Sequence, residues 1–278
     1  MRAGIVSRTD IPSAVTVTRR IVDYLDSRGV DVCVETDTAM AMELTGGNLE
    51  LSELDCDFMV TVGGDGTILR AAMEMKDPAT PILGVNMGRR GFLSEVLVPE
   101  AEWGLDKVLS GDYFLEESMK VSGRCLEMED SFPDALNEVL VAPPLPSKMI
   151  IMGLSVDGEH IVDIQADGAL VATPAGSTAY NMSAGGSIVS PGLDTLLLTA
   201  ICPYSYFRSL VLPSYSVITI ELLKPRSETL AIIDGRVYMP LKPLSTIECR
   251  VSPNKTRFIR FRSFYSRIQK RIMTLQAM

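Results

Sequence analysis

The spacing of apolar runs changes once along this chain, near Pro99, and that change constrains the fold more than any other feature. Before it, short β-branched runs alternate with stretches of helical periodicity. "AGIV" (3–6) predicts a strand. "IPSAVTVTRRIVDYLDSRG" (11–29) sets Val15, Ile21, Val22 and Leu25 at helical spacing and ends on Gly29, a helix C-cap; "VDVCVE" (30–35) is a second strand. The strand "FMVTV" (58–62), a helix from about Thr67 to Met75 and the strand "PILGVN" (81–86) follow. Such alternation threads parallel strands through covering helices, so residues 1–98 read as an α/β domain. After Pro99, one helix ("PEAEWGLDKVLSG") leads into short runs punctuated by Gly, Pro and Asp, from "YFLEESMKVSGRCLEM" to "LAIIDGRVYMPL". Close strand spacing with few helical patterns predicts an antiparallel, β-rich and sandwich-like domain over 99–256.

The remaining stretch, 257–278, carries much of the positive charge of a chain whose net charge is −9. It reads as an exposed strand followed by a helix with Phe264, Ile268 and Ile272 on its apolar stripe, rather than as a nucleic-acid or membrane arm. The acidic balance argues against a nucleic-acid partner, because affinity for a phosphate backbone comes mainly from Lys and Arg. "TLLLTAIC" (195–202) falls well short of the roughly 20 apolar residues of a membrane span, and "MRAGIVSRTD" has no secretory core, which points to the cytoplasm. The five cysteines are scattered without a CxxC pair, suggesting reduced thiols. A single histidine, His160, rules out a multi-histidine metal site and argues against a Ser-His-Asp or Cys-His mechanism; beside "DGEH" it reads as a loop residue.

Three clusters carry chemistry. The first is "TVGGDGTILRAA" (61–72), with Asp65 inside a glycine turn between a strand and a helix. The third glycine of a dinucleotide fingerprint would fall at Leu69, and no G-x-x-x-x-G-K-[ST] exists. Gly63, Gly64, Gly66 and Thr67 can still form a phosphate loop, since backbone without Cβ lets N–H groups approach an anion at a helix start. Asp65 would repel that phosphate face to face, but suits a base for an attacking hydroxyl or a magnesium ligand; the plain alternative is a helix N-cap. The second cluster, "DGALVATPAGSTAYNMSAGGSIVSPG" (167–192), is dense in small and hydroxylated residues, and Tyr180 adds a face on which a base could stack. One glycine-rich site in each domain suggests two ligands meeting in a cleft. The third is the polar pair Asn137-Glu138 within "ALNEVLVA", which from that run alone reads as an edge position with both groups in water.

Taken together, "GGDGT" (63–67), "GVNMGRRGFL" (84–93), "LNEV" (136–139), "DGALVATPAGSTAYNMSAGG" (167–186), "IIDGR" (232–236) and "SFYSRIQKRI" resemble the NAD kinase family over nearly the whole chain. The resemblance implies transfer of a phosphoryl group from ATP or polyphosphate to the 2′-hydroxyl of the adenosine ribose of NAD, giving NADP with a divalent metal, expected to be Mg²⁺ held mainly by substrate phosphates. It implies Asp65 as catalytic base and NAD contacts from Asp65, Gly66, Arg70, Asn137, Glu138, Lys148, Gln165, Asp167, Thr178, Ala179, Tyr180 and Ser183. It also implies a final segment that returns to the first domain, and a homodimer or homotetramer. The chain departs from the family pattern at Pro203-Tyr204, where Pro-His is common, and at Arg236, where glutamine is frequent.

Two rivals share features with this reading. Lipid kinases use the same GGDGT loop but usually carry an Asn-Glu pair just after the threonine, where this chain has "ILRAA". A non-catalytic NAD(P)-sensing module would keep the fold without transferring phosphate, yet gains nothing from a carboxylate beside phosphates.

Overall fold

The computed structural model describes residues 1–44, 49–88, 91–129, 131–145, 148–224 and 228–269. They form two compact units, Met1–Glu117 with Thr256–Met278, and Ser118–Lys255. The first unit thus runs past the expected edge at 98, because α4 (Ala101–Leu109) packs on α1 (Pro12–Ser27). Apolar residues of that helix, Ala101, Leu105 and Val108, join the same core as Ile5, Ile21, Leu25 and Val60.

The first unit is built on a parallel sheet of β1 (Arg2–Ser7), β2 (Asp31–Val34), β3 (Phe58–Gly63), β4 (Ile82–Asn86) and the short β5 (Val96–Leu97), in the order β2-β1-β3-β4 with β5 beside β4. Helix α1 ends as the sequence predicts, with Gly29 at a φ of 73°. Two further helices are α2 (Thr36–Ala41), which the periodicity missed because it is barely two turns long, and α3 (Asp65–Glu74). Parallel strands present their C-terminal ends to ligands. The turn at 64 after β3, and residues 87–88 and 91–95 after β4, lie at those ends.

The second unit is antiparallel. Strands β6 (Phe114–Cys125), β7 (Glu138–Ala142), β8 (Ile150–Val156), β9 (Glu159–Ala166), β10 (Gly168–Ala172), β11 (Thr195–Ile201), β12 (Ser209–Pro213), β13 (Ile218–Leu222), β14 (Thr229–Ile233), β15 (Val237–Leu241) and β16 (Thr246–Arg260) make the two sheets of a sandwich. One runs β12-β11-β10-β7-β14-β15; the other runs β16-β13-β8-β9 with β6 beside β16. The single turn α5 (Tyr180–Ser183) follows β10. Leu140, Leu170, Ala172, Leu197 and Val189 fill one core on the first of these sheets. His160 is a strand residue of β9 rather than a loop residue: the turn of "DGEH" is Asp157-Gly158, both at positive φ, and the strand resumes at once. Of the apolar stripe expected in the last segment, Phe264 and Ile268 are half-buried and Ile272 lies outside the described residues. All five cysteines are free thiols, and that of Cys33 donates to the Ala3 carbonyl.

Candidate active site

Strand β3 ends in Gly63, Gly64 is the N-cap, and α3 takes in Asp65 as its first residue. The helix starts two residues earlier than apolar spacing predicted, because its first turn is polar and periodicity registers only from Ile68 onward. The three glycines of the loop differ in what they need. A Cβ on Gly63 would lie 2.2 Å from the Thr67 hydroxyl, whereas Gly64 and Gly66 face open space. Gly63 is therefore required by packing. Gly64 and Gly66 leave bare backbone at a helix N-terminus, where N–H groups and the helix dipole attract an anion.

Asp65 does not cap its own helix. Its Oδ2 accepts from the Phe92 N–H at 2.7 Å and its Oδ1 from the Leu93 N–H at 3.3 Å. Gly91, at a φ of 146°, makes room for it: a Cβ there would lie 2.7 Å from Oδ1. Two amides thus fix the half-buried carboxylate, and each oxygen keeps a lone pair.

The loop that holds Asp65 is itself held. The Leu93 carbonyl accepts from Arg260 at 2.6 Å, and Arg260, 2% exposed, also donates to Glu116 at 2.9 Å. Glu116 binds Arg267 in turn, and the fully buried Glu95 accepts from the N–H groups of Phe261 and Arg262. This corrects the expectation of an exposed strand. The end of β16 pairs in parallel with β4 at Phe258, so Phe258, Ile259 and Arg260 are buried, the last with its charge turned onto carboxylates. Arg70 is not free either: it pairs with Glu35 at 2.8 Å and Asp37 at 3.2 Å, while Glu35 caps α2 through Thr38.

In the second unit Asn137 and Glu138 are 7% and 8% exposed, not edge residues in water, because β7 is an inner strand between β10 and β14. Asp234 supports them, accepting from the N–H groups of Leu136 (2.8 Å), Asn137 (2.8 Å) and Glu138 (3.0 Å). On the other side the 173–178 turn lies against the same backbone. Thr173 donates its hydroxyl to the Leu136 carbonyl and its N–H to the Asn137 carbonyl, and a Cβ on Gly176 would sit 2.1 Å from the Asn137 carbonyl oxygen. Asn137 Oδ1 and Glu138 Oε2 have no hydrogen-bond partner among the described residues. Burial, with the Asp234 charge beside it, pushes the Glu138 carboxyl up to about 8.

Tyr180 belongs to this group. Its N–H lies near enough to the Glu138 carboxyl to favour the ionised form, and its phenol is raised by partial burial and by the neighbouring Cys202, Asp167 and Glu138. Thr178 is buried and bonds back to Ala175, Ala179 is half-buried, and Ser183 is exposed on α5. Gln165 is exposed at the end of β9, where its carbonyl accepts from Tyr204, and Lys148 is exposed before β8 with no described tie to the group. Sequence reasoning missed Asp234, Lys120, Thr173 and Thr199. Asp234 had a local signal, the Asp-Gly turn of "IIDGR". Asn181, inside the run Thr178 to Ser183 that the family resemblance implies, accepts from Thr199 and donates to Ser177 and Ser187.

Among the described residues no three His, Cys, Asp or Glu groups converge as metal ligands, and no helix is long and apolar enough to cross a membrane. The ATP-NAD kinase N-terminal domain family matches residues 3–113 and the ATP-NAD kinase C-terminal domain family residues 136–261. The chain is 40% identical over 276 residues to an NAD kinase of Pyrococcus abyssi, covering 98% of this chain and 99% of that one. To an NAD kinase of Methanothermobacter thermautotrophicus it is 37% identical, covering 98% and 96%. Its fold is similar to yeast NADH kinase complexed with NADH (TM-score 0.86, 25% identity, 99% of this chain and 87% of that one). It is similar too to an Archaeoglobus fulgidus NAD kinase in complex with ATP (TM-score 0.79, 30% identity, all of both chains). With a glycine-framed carboxylate in one unit, a buried Asn-Glu pair in the other and both family domains matched in order, the chain belongs to the NAD kinase family.

Proposed function

We propose that this NAD kinase family member transfers the terminal phosphoryl group of ATP, or of polyphosphate, to the 2′-hydroxyl of the adenosine ribose of NAD. The observation that carries it is Asp65, a carboxylate oriented by two amides directly after open glycine backbone. In this reading the glycine turn at the start of α3 holds donor phosphate, and Asp65 takes the proton of the 2′-hydroxyl as its oxygen attacks phosphorus in line with the leaving phosphate. The hard oxygen donors here suit a divalent cation such as Mg²⁺, which keeps most of its ligands as phosphate and water; Asp65 is the protein residue placed to touch it, and the cation would neutralise charge on the transferring group.

On the acceptor side, the orphaned Asn137 Oδ1 and Glu138 Oε2 are buried polar atoms whose desolvation is compensated by a ligand's hydroxyl or amino groups. Tyr180, Asp167 and Thr178 lie with them, and Gln165, Ala179, Ser183, Lys148, Gly66 and Arg70 complete the proposed NAD contacts. For Arg70 that role requires reaching NAD while paired with Glu35. A lipid acceptor is disfavoured, since the relatives named above are NAD and NADH kinases. Assembly into a homodimer or homotetramer, and a cytoplasmic location, go with this reading.

The test is NADP formation from NAD with Mg²⁺ and either ATP, polyphosphate or no donor. Donor-dependent NADP supports the reading. NAD binding without NADP from any donor would favour a sensing module, and phosphorylation of a lipid hydroxyl in place of NAD would favour the other rival.

A further inference from the structure

Asp234 sits where a hairpin does not need an acid. It starts the Asp234-Gly235 turn between β14 and β15, at a φ of 49°, and left-handed turn positions accept asparagine as readily as aspartate. Yet its side chain is 6% exposed, and burying a carboxylate is costly unless it is matched. The match comes from elsewhere. Three successive N–H groups, Leu136 to Glu138, converge on its two oxygens across 96 to 98 residues of sequence, its own N–H donates to the Glu138 carbonyl, and the buried Lys120 ammonium lies near enough to act on its charge. These residues carry the two orphaned buried atoms, Asn137 Oδ1 and Glu138 Oε2.

We propose that Asp234 is a positioning residue for the acceptor: it clamps the peptides of Leu136, Asn137 and Glu138 and so aims the Asn137 and Glu138 side chains at the hydroxyl-bearing part of NAD. This rests on the NAD kinase reading above. A neutral side chain could close the turn, but could not receive three donors on two anionic oxygens. The charge also acts on Glu138 directly. Burial and the Asp234 carboxylate both favour the protonated form of Glu138, which can then donate through its unpartnered oxygen, while the Tyr180 N–H favours the ionised form. The other titratable groups near this cluster are Tyr180, Asp167, Cys202, Lys120 and Asp134.

The experiment compares wild type, D234N, E138Q and the double variant by calorimetric titration of NAD without donor, with steady-state kinetics beside it. D234N keeps the turn and one acceptor oxygen; a thermal melt confirms folding, and D234S replaces it if it does not fold. The proposal expects the Kd and KM for NAD to rise about tenfold or more in D234N, with the KM for ATP within about twofold. It expects the double variant to bind NAD about as weakly as the weaker single, because one acts through the other. It also expects the alkaline rise in KM for NAD to move to lower pH in D234N, since a removed like charge lets Glu138 ionise sooner. A D234N Kd within about twofold of wild type, or fully additive losses, would overturn it, because a merely structural residue gives additive effects. Wild type that binds NAD but forms no NADP would refute the enzymatic reading and leave the titration decisive for Asp234. Wild type that binds no NAD would overturn both.

Discussion

The two glycine-framed sites use backbone in opposite ways. At 63–67 the turn is open around Gly64 and Gly66, where an added Cβ would meet nothing, and the one charged group, Asp65, is steadied from a neighbouring loop. At 136–138 and 173–178 the chain is crowded: Gly176 exists because the Asn137 carbonyl fills the place of its Cβ, and buried polar side chains meet several partners each. The first arrangement suits a polyphosphate, which is read by N–H groups and charge. The second suits a nucleoside, whose hydroxyls and ring edges demand fixed directional partners.

That contrast predicts different responses to the same substitution. Gly176→Ala forces a Cβ to within 2.1 Å of backbone that has no room to yield, so a loss of about 3 kcal/mol is expected in denaturant unfolding, with NAD binding lost too. Gly66→Ala should do the reverse to the fold, adding up to about 1 kcal/mol because alanine is the better helix residue, while raising the KM for ATP. Equal effects of the two would erase the distinction. Next in size is Asn181→Ala, which strips a partner from the buried Thr199 hydroxyl and should cost about 2 kcal/mol in the same measurement. The last test is a pH slope. The Glu138 carboxyl is raised from 4.5 to about 8 in the folded chain, so between these values the folded state keeps a proton that the unfolded state has lost. Stability therefore falls as pH rises through that window and levels off above about 8. Glu138→Gln should flatten this part of the Tm profile, and an unchanged slope would contradict the buried environment beside the Asp234 charge.

The same contrast decides what a reader of the sequence could see. The strand–glycine turn–helix around Asp65 was legible because its parts are adjacent in sequence, and the error was only where the helix begins. The parallel-then-antiparallel order was legible from apolar spacing. The nucleoside side was legible only as motifs. Whether Asn137 and Glu138 are wet or buried depends on β10 and β14 flanking β7, and on Asp234 across 97 residues, none of which spacing encodes. The basic end of the chain misled for a related reason. Charge normally marks a solvated face, but Arg260 and Arg267 find Glu95 and Glu116 from a distant part of the chain and are buried as pairs.

The most direct test of the account is Asp65→Asn, measured for kcat with ATP and for NAD affinity. The asparagine keeps one oxygen to accept from the Phe92 N–H, gives up the longer bond from the Leu93 N–H, and removes the base. The account predicts a kcat lower by about 10² to 10⁴, with the Kd for NAD little changed. Turnover that survives the substitution would contradict the central claim that this carboxylate takes the proton.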